Sequence, residues 1–285
     1  MAVLAHEPDT APDSGARRPG LPVAGFAAIL AVLAGAAGAA VTRVALTTSR
    51  GQDLDQRAML IFSLNGDRES FAPLMDLLNT VSIGSVALAS FGFVIFALLR
   101  RRFLLAVGAA TLVLGANLLT QVLKRIVLTR EDFGFGTSNS LPSGHTTVVF
   151  SLALAALLVT PPALRMLVTV IGSALATLTG VATVVAGWHR PSDVVVALCV
   201  TVATAAVISA LLALLAPAHR PRGRLFEVAA LLGAGIAGVL LLVWGVSPGT
   251  GDGEARAAVV TLCTIGFATA IGTGLIARLT SRTAA

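Results

Sequence analysis

Long apolar runs recur along the whole chain, and their length limits what the chain can fold into. A bilayer core about 30 Å thick needs roughly 20 apolar residues per helix. Eight runs approach that length: roughly 22–46, 80–99, 103–123, 145–160, 166–186, 194–216, 225–245 and 257–277. The runs are continuous and lack the apolar–polar alternation of a membrane β-barrel strand. The sequence therefore predicts an all-α fold, a polytopic transmembrane helical bundle.

The composition excludes an ordinary water-soluble domain. Hydrophobic residues make up 56% of the 285 residues and charged residues 12%, whereas soluble domains have about 45–50% and about 25%. The net charge is +6, but the arginines are scattered between apolar runs, so no nucleic-acid partner is predicted. Cys199 and Cys263 both lie inside apolar runs, where they are expected to be buried residues rather than a disulfide or a metal site.

The distribution of arginine predicts how the chain is oriented. Cytoplasmic loops are enriched in Lys and Arg. With a cytoplasmic N-terminus, that side receives Arg17, Arg18, Arg100–Arg102, Arg165, "HRPRGR" ending at Arg224, Arg278 and Arg282. The opposite side receives the acidic loops "GQDLDQ", "NGDRES" and "GTGDGEA". We therefore expect a multi-pass protein of the plasma (inner) membrane with both termini in the cytoplasm.

The loop between the first two spans, residues 47–80, is long and partly apolar. Its segments "AMLIFSL" and "FAPLMDLL" predict short amphipathic helices that lie against the outer surface. Two interpretations of these helices remain open. They form either a lid or lipid gate, or a plain connector.

Three polar clusters are predicted to share the outer face. They are "LKRIVLTRED" at residues 123–132, "SLPSGH" at 140–145 and "GWHRPSD" at 187–193. Each lies where a predicted span ends or begins. Their convergence on one face predicts a single site.

The first two clusters have the chemistry of an anion site. Lys124 and Arg130 supply two cations, of which the arginine offers a planar fork that suits phosphate oxygens. Ser143 and Gly144 open a helix, where free backbone N–H groups and the positive end of the helix dipole attract anions. Gly144 has no side chain to keep an anion away from these groups.

The third cluster supplies an imidazole and a carboxylate four residues apart. If a helix begins at Pro191, Asp193 can fold back and accept a hydrogen bond from His189. This bond fixes the tautomer and leaves the other ring nitrogen as a nucleophile. His145, with an ordinary pKa near 6.5, is then predicted to be the general acid.

The complete "PSGH" at Pro142–His145 and the His-x-x-x-Asp of His189 and Asp193 resemble the type 2 phosphatidic acid phosphatases, whose superfamily includes the vanadium haloperoxidases. The resemblance covers about residues 22–216 and implies a six-helix, phosphatase-like core there. Residues 1–21 would be a polar cytoplasmic segment. Residues 217–285 would add two C-terminal transmembrane helices and a short tail.

The resemblance also implies roles for the polar residues. His189 would be the nucleophile that forms a phosphohistidine, Asp193 its partner, and His145 the proton donor to the leaving group. The phosphate would be held by Lys124, Arg130, Ser143 and Gly144. No metal and no cofactor are expected, because these cations stabilise the developing charge.

Two positions depart from the family pattern. The Arg-Pro pair expected after Lys124 falls on Glu131–Asp132, with Arg130 one position early. The Ser-Arg pair of the third motif falls on Ala182–Thr183, so its cation is missing. Arg190 and Arg125 are the candidates to replace it, and Arg190 is counted among the phosphate-binding residues.

The expected function is that of a membrane lipid-phosphate phosphatase whose active site lies on the extracytoplasmic side. Its substrate would be the phosphomonoester or pyrophosphate of a phospholipid or polyprenyl lipid; phosphatidate, phosphatidylglycerol phosphate and undecaprenyl-type pyrophosphate all fit. Two alternatives remain. One is a lipid phosphotransferase, and the other is a lipid-phosphate binding protein weakened by the loss of the cation at Thr183.

Overall fold

The fold is helical throughout the part of the chain that the computed structural model describes, residues 20–64, 72–215, 225–244, 246 and 251–283. These residues form ten α-helices and one π-helical turn, which confirms the all-α prediction. The helices are α1 (Leu21–Thr47), α2 (Ser49–Leu64), α3 (Ala72–Thr80), α4 (Ile83–Leu99), α5 (Phe103–Val122), α6 (Gly144–Val159), α7 (Arg165–Val185), α8 (Pro191–Leu215), α9 (Phe226–Val243) and α10 (Asp252–Thr283). The π-helical turn, Leu123–Val127, continues α5.

Six of these helices are long and apolar enough to cross a membrane: α1, α5 with its π-helical turn, α7, α8, α9 and α10. The protein is therefore a multi-pass membrane protein. The two other predicted spans form helices shorter than these six. The run at 80–99 becomes the 17-residue α4, which is separated from α3 by a 60° bend, and the run at 145–160 becomes the 16-residue α6.

The early start of α6 follows from its cap. Ser143 is the N-cap, and its hydroxyl oxygen accepts the N–H of Thr146 at 3.4 Å. A serine cap satisfies a backbone donor that has no helical partner. The helix therefore begins at Gly144 and places His145 in its first turn.

The centre of the bundle is formed by α5, α6, α7 and α8, which pack against one another. Fully buried apolar side chains such as Phe150, Leu154 and Val194 lie between them. Helix α1 packs along α8, α9 packs against α7 and α10, and α10 also packs against α7 and α8. The two C-terminal helices thus pack against the segment predicted as the core, while the boundaries of the predicted domains stay predictions.

Basic residues gather at one end of the bundle. Arg100 donates a hydrogen bond to the carbonyl of Val159 at 3.2 Å, and Arg165 donates one to Thr160 at 3.1 Å. Both acceptors lie at the carboxyl end of α6, where cations are favourable, and opposite to His145. The further orientation signals at Arg17, Arg18, "NGDRES" and "HRPRGR" lie outside the described residues.

The loop after α1 contains helices, as predicted. Helices α2 and α3 occupy it, and α2 packs against α1, α7, α8 and α10.

Close packing of α9 against α7 depends on one glycine. A Cβ added at Gly233 would lie 2.2 Å from the carbonyl oxygen of Val170, which is far inside van der Waals contact. Gly235, two residues later, has nothing within 4 Å of an added Cβ. The two glycines share a helix but only one makes a helix contact.

We therefore expect Gly233→Ala to destabilise the protein by about 1–3 kcal/mol through overpacking. Gly235→Ala is the matched control, for which we expect no loss of stability. The measurement is the melting temperature of the detergent-purified protein. Equal melting temperatures for the two variants would contradict the close packing of α7 and α9.

Candidate active site

The turn between α7 and α8 positions His189. The N–H groups of Trp188 and His189 both donate to the carbonyl oxygen of Thr183 at 3.1 Å, and the N–H of Gly187 donates to Val184 at 2.9 Å. Gly187 has φ +69°, the left-handed conformation that ends many helices. The end of α7 is thereby closed, and His189 follows it with its backbone anchored.

Asp193 folds back from the first turn of α8 onto the same turn. Its Oδ2 accepts the Nδ1–H of His189 at 3.0 Å and the backbone N–H of Arg190 at 3.0 Å. The hydroxyl of Ser140 donates to the same oxygen at 2.5 Å. Asp193 and His189 are 2% and 7% exposed. The carboxylate therefore fixes the His189 ring and leaves Nε2 as the nitrogen that can attack.

The second cluster is bonded to the third. The N–H of Ser143 donates to the backbone carbonyl of Asp193 at 2.9 Å. This bond joins the amino end of α6 to the amino end of α8. In front of α6 the space is open, since an added Cβ at Gly144 would meet only Gln121 Nε2, at 3.8 Å.

His145 lies on the same end of the bundle as His189. The His145 ring is half-buried and packs against Trp188, with ring centroids 5.4 Å apart. His145 also interacts electrostatically with His189 and Lys124. The structure thus brings both imidazoles of the sequence prediction to one place.

The first cluster is held against the other two by Asn139. Its side-chain amide donates to the carbonyls of Lys124 at 3.2 Å and Leu128 at 3.0 Å. Lys124 is partly buried in the π-helical turn and interacts electrostatically with Asp193. Its ammonium group therefore acts on the centre of the site.

Arg130 is the most unusual cation of the site. It is 7% exposed, and its Nε donates to the carbonyl of Gly136 at 3.1 Å. Its Nη2 is buried without a hydrogen-bond partner among the described residues. Burial lowers the pKa of Arg130 from its ordinary value, and repulsion by Arg190 lowers it further. A buried guanidinium nitrogen without an acceptor is unfavourable, and an anion would satisfy it.

Thr183 itself cannot take over the role of the arginine that the family pattern has at this position. Thr183 is fully buried, and its hydroxyl donates to Gly180 in its own helix at 2.8 Å. Of the two candidate replacements, Arg125 is exposed, whereas Arg190 lies in the cluster. Arg190 Nη1 donates to Ser140 at 3.1 Å. Arg190 and Arg130 therefore form a pair of neighbouring cations.

Helix α2 adds polar contacts that the sequence interpretation missed. Gln56 accepts the Nε–H of Arg190 at 3.0 Å. Asp55 accepts the backbone N–H of Ser192 at 3.0 Å and its hydroxyl at 2.5 Å. Burial raises the pKa of Asp55 to about 6. The one signal in the sequence was three polar residues, 52, 55 and 56, spaced to share a helix face.

An apolar cavity of about 530 Å³ leads to the site between α4, α5 and α6. Its walls include Val86, Leu114 and Leu118, and it ends at Gly144 and His145. The cavity is large enough for part of a lipid chain. It connects the apolar flank of the bundle with the polar cluster.

The comparison with known families agrees with this site. Residues 124–217 match the family model described as PAP2 superfamily. The resemblance to this superfamily is confirmed over that segment. The PAP2 segment contains all the site residues predicted from the sequence, whereas α2 lies outside it. No curated protein and no solved structure matches the chain.

The match to this superfamily over residues 124–217 supports phosphatase-type activity on phosphate esters. The geometry has the matching parts: an oriented imidazole, a second imidazole beside it, and cations around them. Among the described residues, no group of three or more His, Cys, Asp or Glu side chains could hold a metal ion.

The left-handed conformation of Gly187 leads to a testable prediction. We expect Gly187→Ala to destabilise the protein by about 1–2 kcal/mol, because a Cβ is strained at positive φ. The same change displaces His189 and lowers turnover. Melting temperature and initial rate measure the two effects, with Gly92→Ala, whose added Cβ has nothing within 4 Å, as control. A variant with unchanged rate would show that the turn does not position the imidazole.

Proposed function

We propose that the protein is a membrane lipid-phosphate phosphatase that forms a phosphohistidine at His189 and needs no metal ion. The observation that carries the proposal is the bond from His189 Nδ1 to the buried Asp193, together with the unpartnered Nη2 of Arg130, a side chain that interacts electrostatically with the same Asp193. A fixed imidazole and an unsatisfied guanidinium that share this carboxylate combine a nucleophile with a place for a phosphate oxygen.

In the first step, Nε2 of His189 attacks phosphorus in line with the leaving oxygen. The N–P bond forms as the P–O bond breaks, and the electron pair departs with the oxygen. His145, as imidazolium, donates the proton to that oxygen. The product alcohol or lipid phosphate leaves, and the phosphoryl group remains on His189.

In the second step, water attacks the phosphohistidine. Neutral His145 accepts a proton from the water as the O–P bond forms and the N–P bond breaks. The electron pair of the N–P bond returns to His189, and inorganic phosphate is released. The two proton transfers return His145 to its starting state.

The cations stabilise the charge on the phosphoryl oxygens during both steps. Lys124, Arg130 and Arg190 supply three positive side chains around the site. The N–H groups of Gly144 and His145 belong to the first turn of α6, where helical partners are lacking. Preorganised donors of this kind are each worth about 3–4 kcal/mol in the transition state.

A lipid substrate is supported by the cavity between α4, α5 and α6. Its apolar walls suit a hydrocarbon chain, and its polar end lies at His145. A chain held there places the ester or anhydride oxygen next to the proton donor. The arginine distribution supports an extracytoplasmic site in the plasma membrane, where membrane lipids reach the cavity laterally.

The decisive experiment follows phosphate release by the detergent-purified protein from mixed micelles of phosphatidate, phosphatidylglycerol phosphate or undecaprenyl pyrophosphate. We expect His189→Gln to reduce release by at least about 10³-fold, because the nucleophile is lost, and the wild type to remain active with a chelator present. Asp53→Asn, which removes only the charge partner of the exposed Arg57, is the control. Release only with an added alcohol acceptor would favour a phosphotransferase. Lipid binding without turnover would favour a binding protein.

His145 is tested by changing the leaving group. We expect His145→Gln to slow hydrolysis of an alkyl phosphate by about 10²–10⁴-fold, because an alkoxide needs a proton. The same variant should lose much less activity on 4-nitrophenyl phosphate, whose phenolate leaves unprotonated. Equal losses on both substrates would contradict the role of general acid.

A further inference from the structure

Helix α2 attaches to the site through three polar side chains on one face. Gln52 donates its amide hydrogens to the carbonyls of Leu46 at 3.0 Å and Glu131 at 2.8 Å. Asp55 accepts both donors of Ser192. Gln52 and Asp55 are 0% and 8% exposed. These bonds fix α2 to the loop of the first cluster and to the start of α8.

The third side chain, Gln56, contacts a cation of the site directly. Its Oε1 accepts the Nε–H of Arg190 at 3.0 Å, while Ser140 accepts from Nη1 at 3.1 Å. Two acceptors at two different nitrogens fix the plane of the guanidinium. They use two of its five N–H donors, so the others remain for a ligand.

The acceptor for the Nε–H of Arg190 is the neutral side chain of Gln56, and this affects the charge that Arg190 can offer to a ligand. Among the described residues, no carboxylate lies within ion-pair distance of Arg190, although Asp55 is the next residue to Gln56 in α2. Asp55 bonds to Ser192 instead. A glutamine holds the guanidinium in position without neutralising it, whereas a glutamate would form an ion pair and weaken its attraction for an anion.

We propose that Gln56 is a positioning residue that orients Arg190, so that Arg190 binds the substrate phosphate in place of the cation missing at Thr183. The inference rests on the proposed function and adds α2, which lies outside the PAP2 segment, to the machinery of the site. In this role α2 is neither a lid or lipid gate nor a plain connector, the two interpretations predicted for the loop after α1. The helix acts as a fixed support for Arg190.

The test compares two substitutions at Gln56 in the full-length, detergent-purified protein. Gln56→Glu keeps the acceptor but adds a negative charge, and Gln56→Met removes the acceptor at nearly constant length. We expect Gln56→Glu to raise the KM and the inhibition constant of inorganic phosphate about tenfold, and Gln56→Met to raise both several-fold. Neither should shift the melting temperature by more than a few degrees.

A matched control separates the effect of a negative charge next to Arg190 from that of the same charge elsewhere on α2. Ser49→Glu adds the same charge to the exposed start of α2, about 10 Å away along the helix, where salt screens its effect on the site. We expect its inhibition constant to stay within twofold of the wild type. A purely structural role for Gln56 predicts the opposite pattern: a harmless Gln56→Glu, and a Gln56→Met that loses stability without weaker phosphate inhibition.

A double variant tests whether Gln56 acts through Arg190. We expect Gln56→Glu to add no further loss of phosphate inhibition in an Arg190→Gln background, since coupled residues are non-additive. Additive losses, or unchanged inhibition in Gln56→Glu, overturn the inference and leave the proposed function standing. A wild type that releases no phosphate and binds no inorganic phosphate overturns both. If the wild type binds phosphate without turnover, the same comparison of the variants is made with dissociation constants in place of inhibition constants.

Discussion

The carboxylate of Asp193 is the interaction on which the rest of the site depends. A buried carboxylate is stable only with several hydrogen-bond donors, and one oxygen of Asp193 accepts from His189, Ser140 and the backbone of Arg190. Its own backbone carbonyl accepts from Ser143. These four bonds join the end of α7, the start of α8 and the loop before α6. Because they share one residue, the positions of the His189 ring, the amino end of α6 and the Arg190 backbone are set together.

The cations around this carboxylate are arranged for a ligand rather than for stability. Arg130 and Arg190 repel each other, and Nη2 of Arg130 is buried without a partner among the described residues. Both features cost free energy in the unliganded protein. Under the proposed function, a phosphate bound between the cations would remove both costs. The neutral acceptor at Gln56 preserves the charge that this arrangement requires.

Much of the architecture could be predicted because the membrane imposes simple rules. Run length identified the six long spans, and the start of α6 followed from Ser143 and Gly144. The run at 80–99 formed a shorter helix because a bend separates it from α3, whereas the run at 145–160 formed a helix of the predicted length that its serine cap shifts by one residue. Within the site, local spacing predicted the His189–Asp193 bond. Nothing local predicted that Ser140 would donate to Asp193, or that Gln56, 134 residues before Arg190, would contact it.

By itself, the sequence determined that this chain is a helical membrane protein with two imidazoles, a carboxylate and several cations at the ends of its helices. It did so because hydrophobic length, helix caps and i, i+4 spacing act over a few residues. Only the tertiary structure decided that Arg190 rather than the exposed Arg125 lies among the site residues, and that Gln56 of α2 contacts it. Those outcomes depend on contacts between segments far apart in the chain, where the packing of whole helices brings side chains within hydrogen-bond distance.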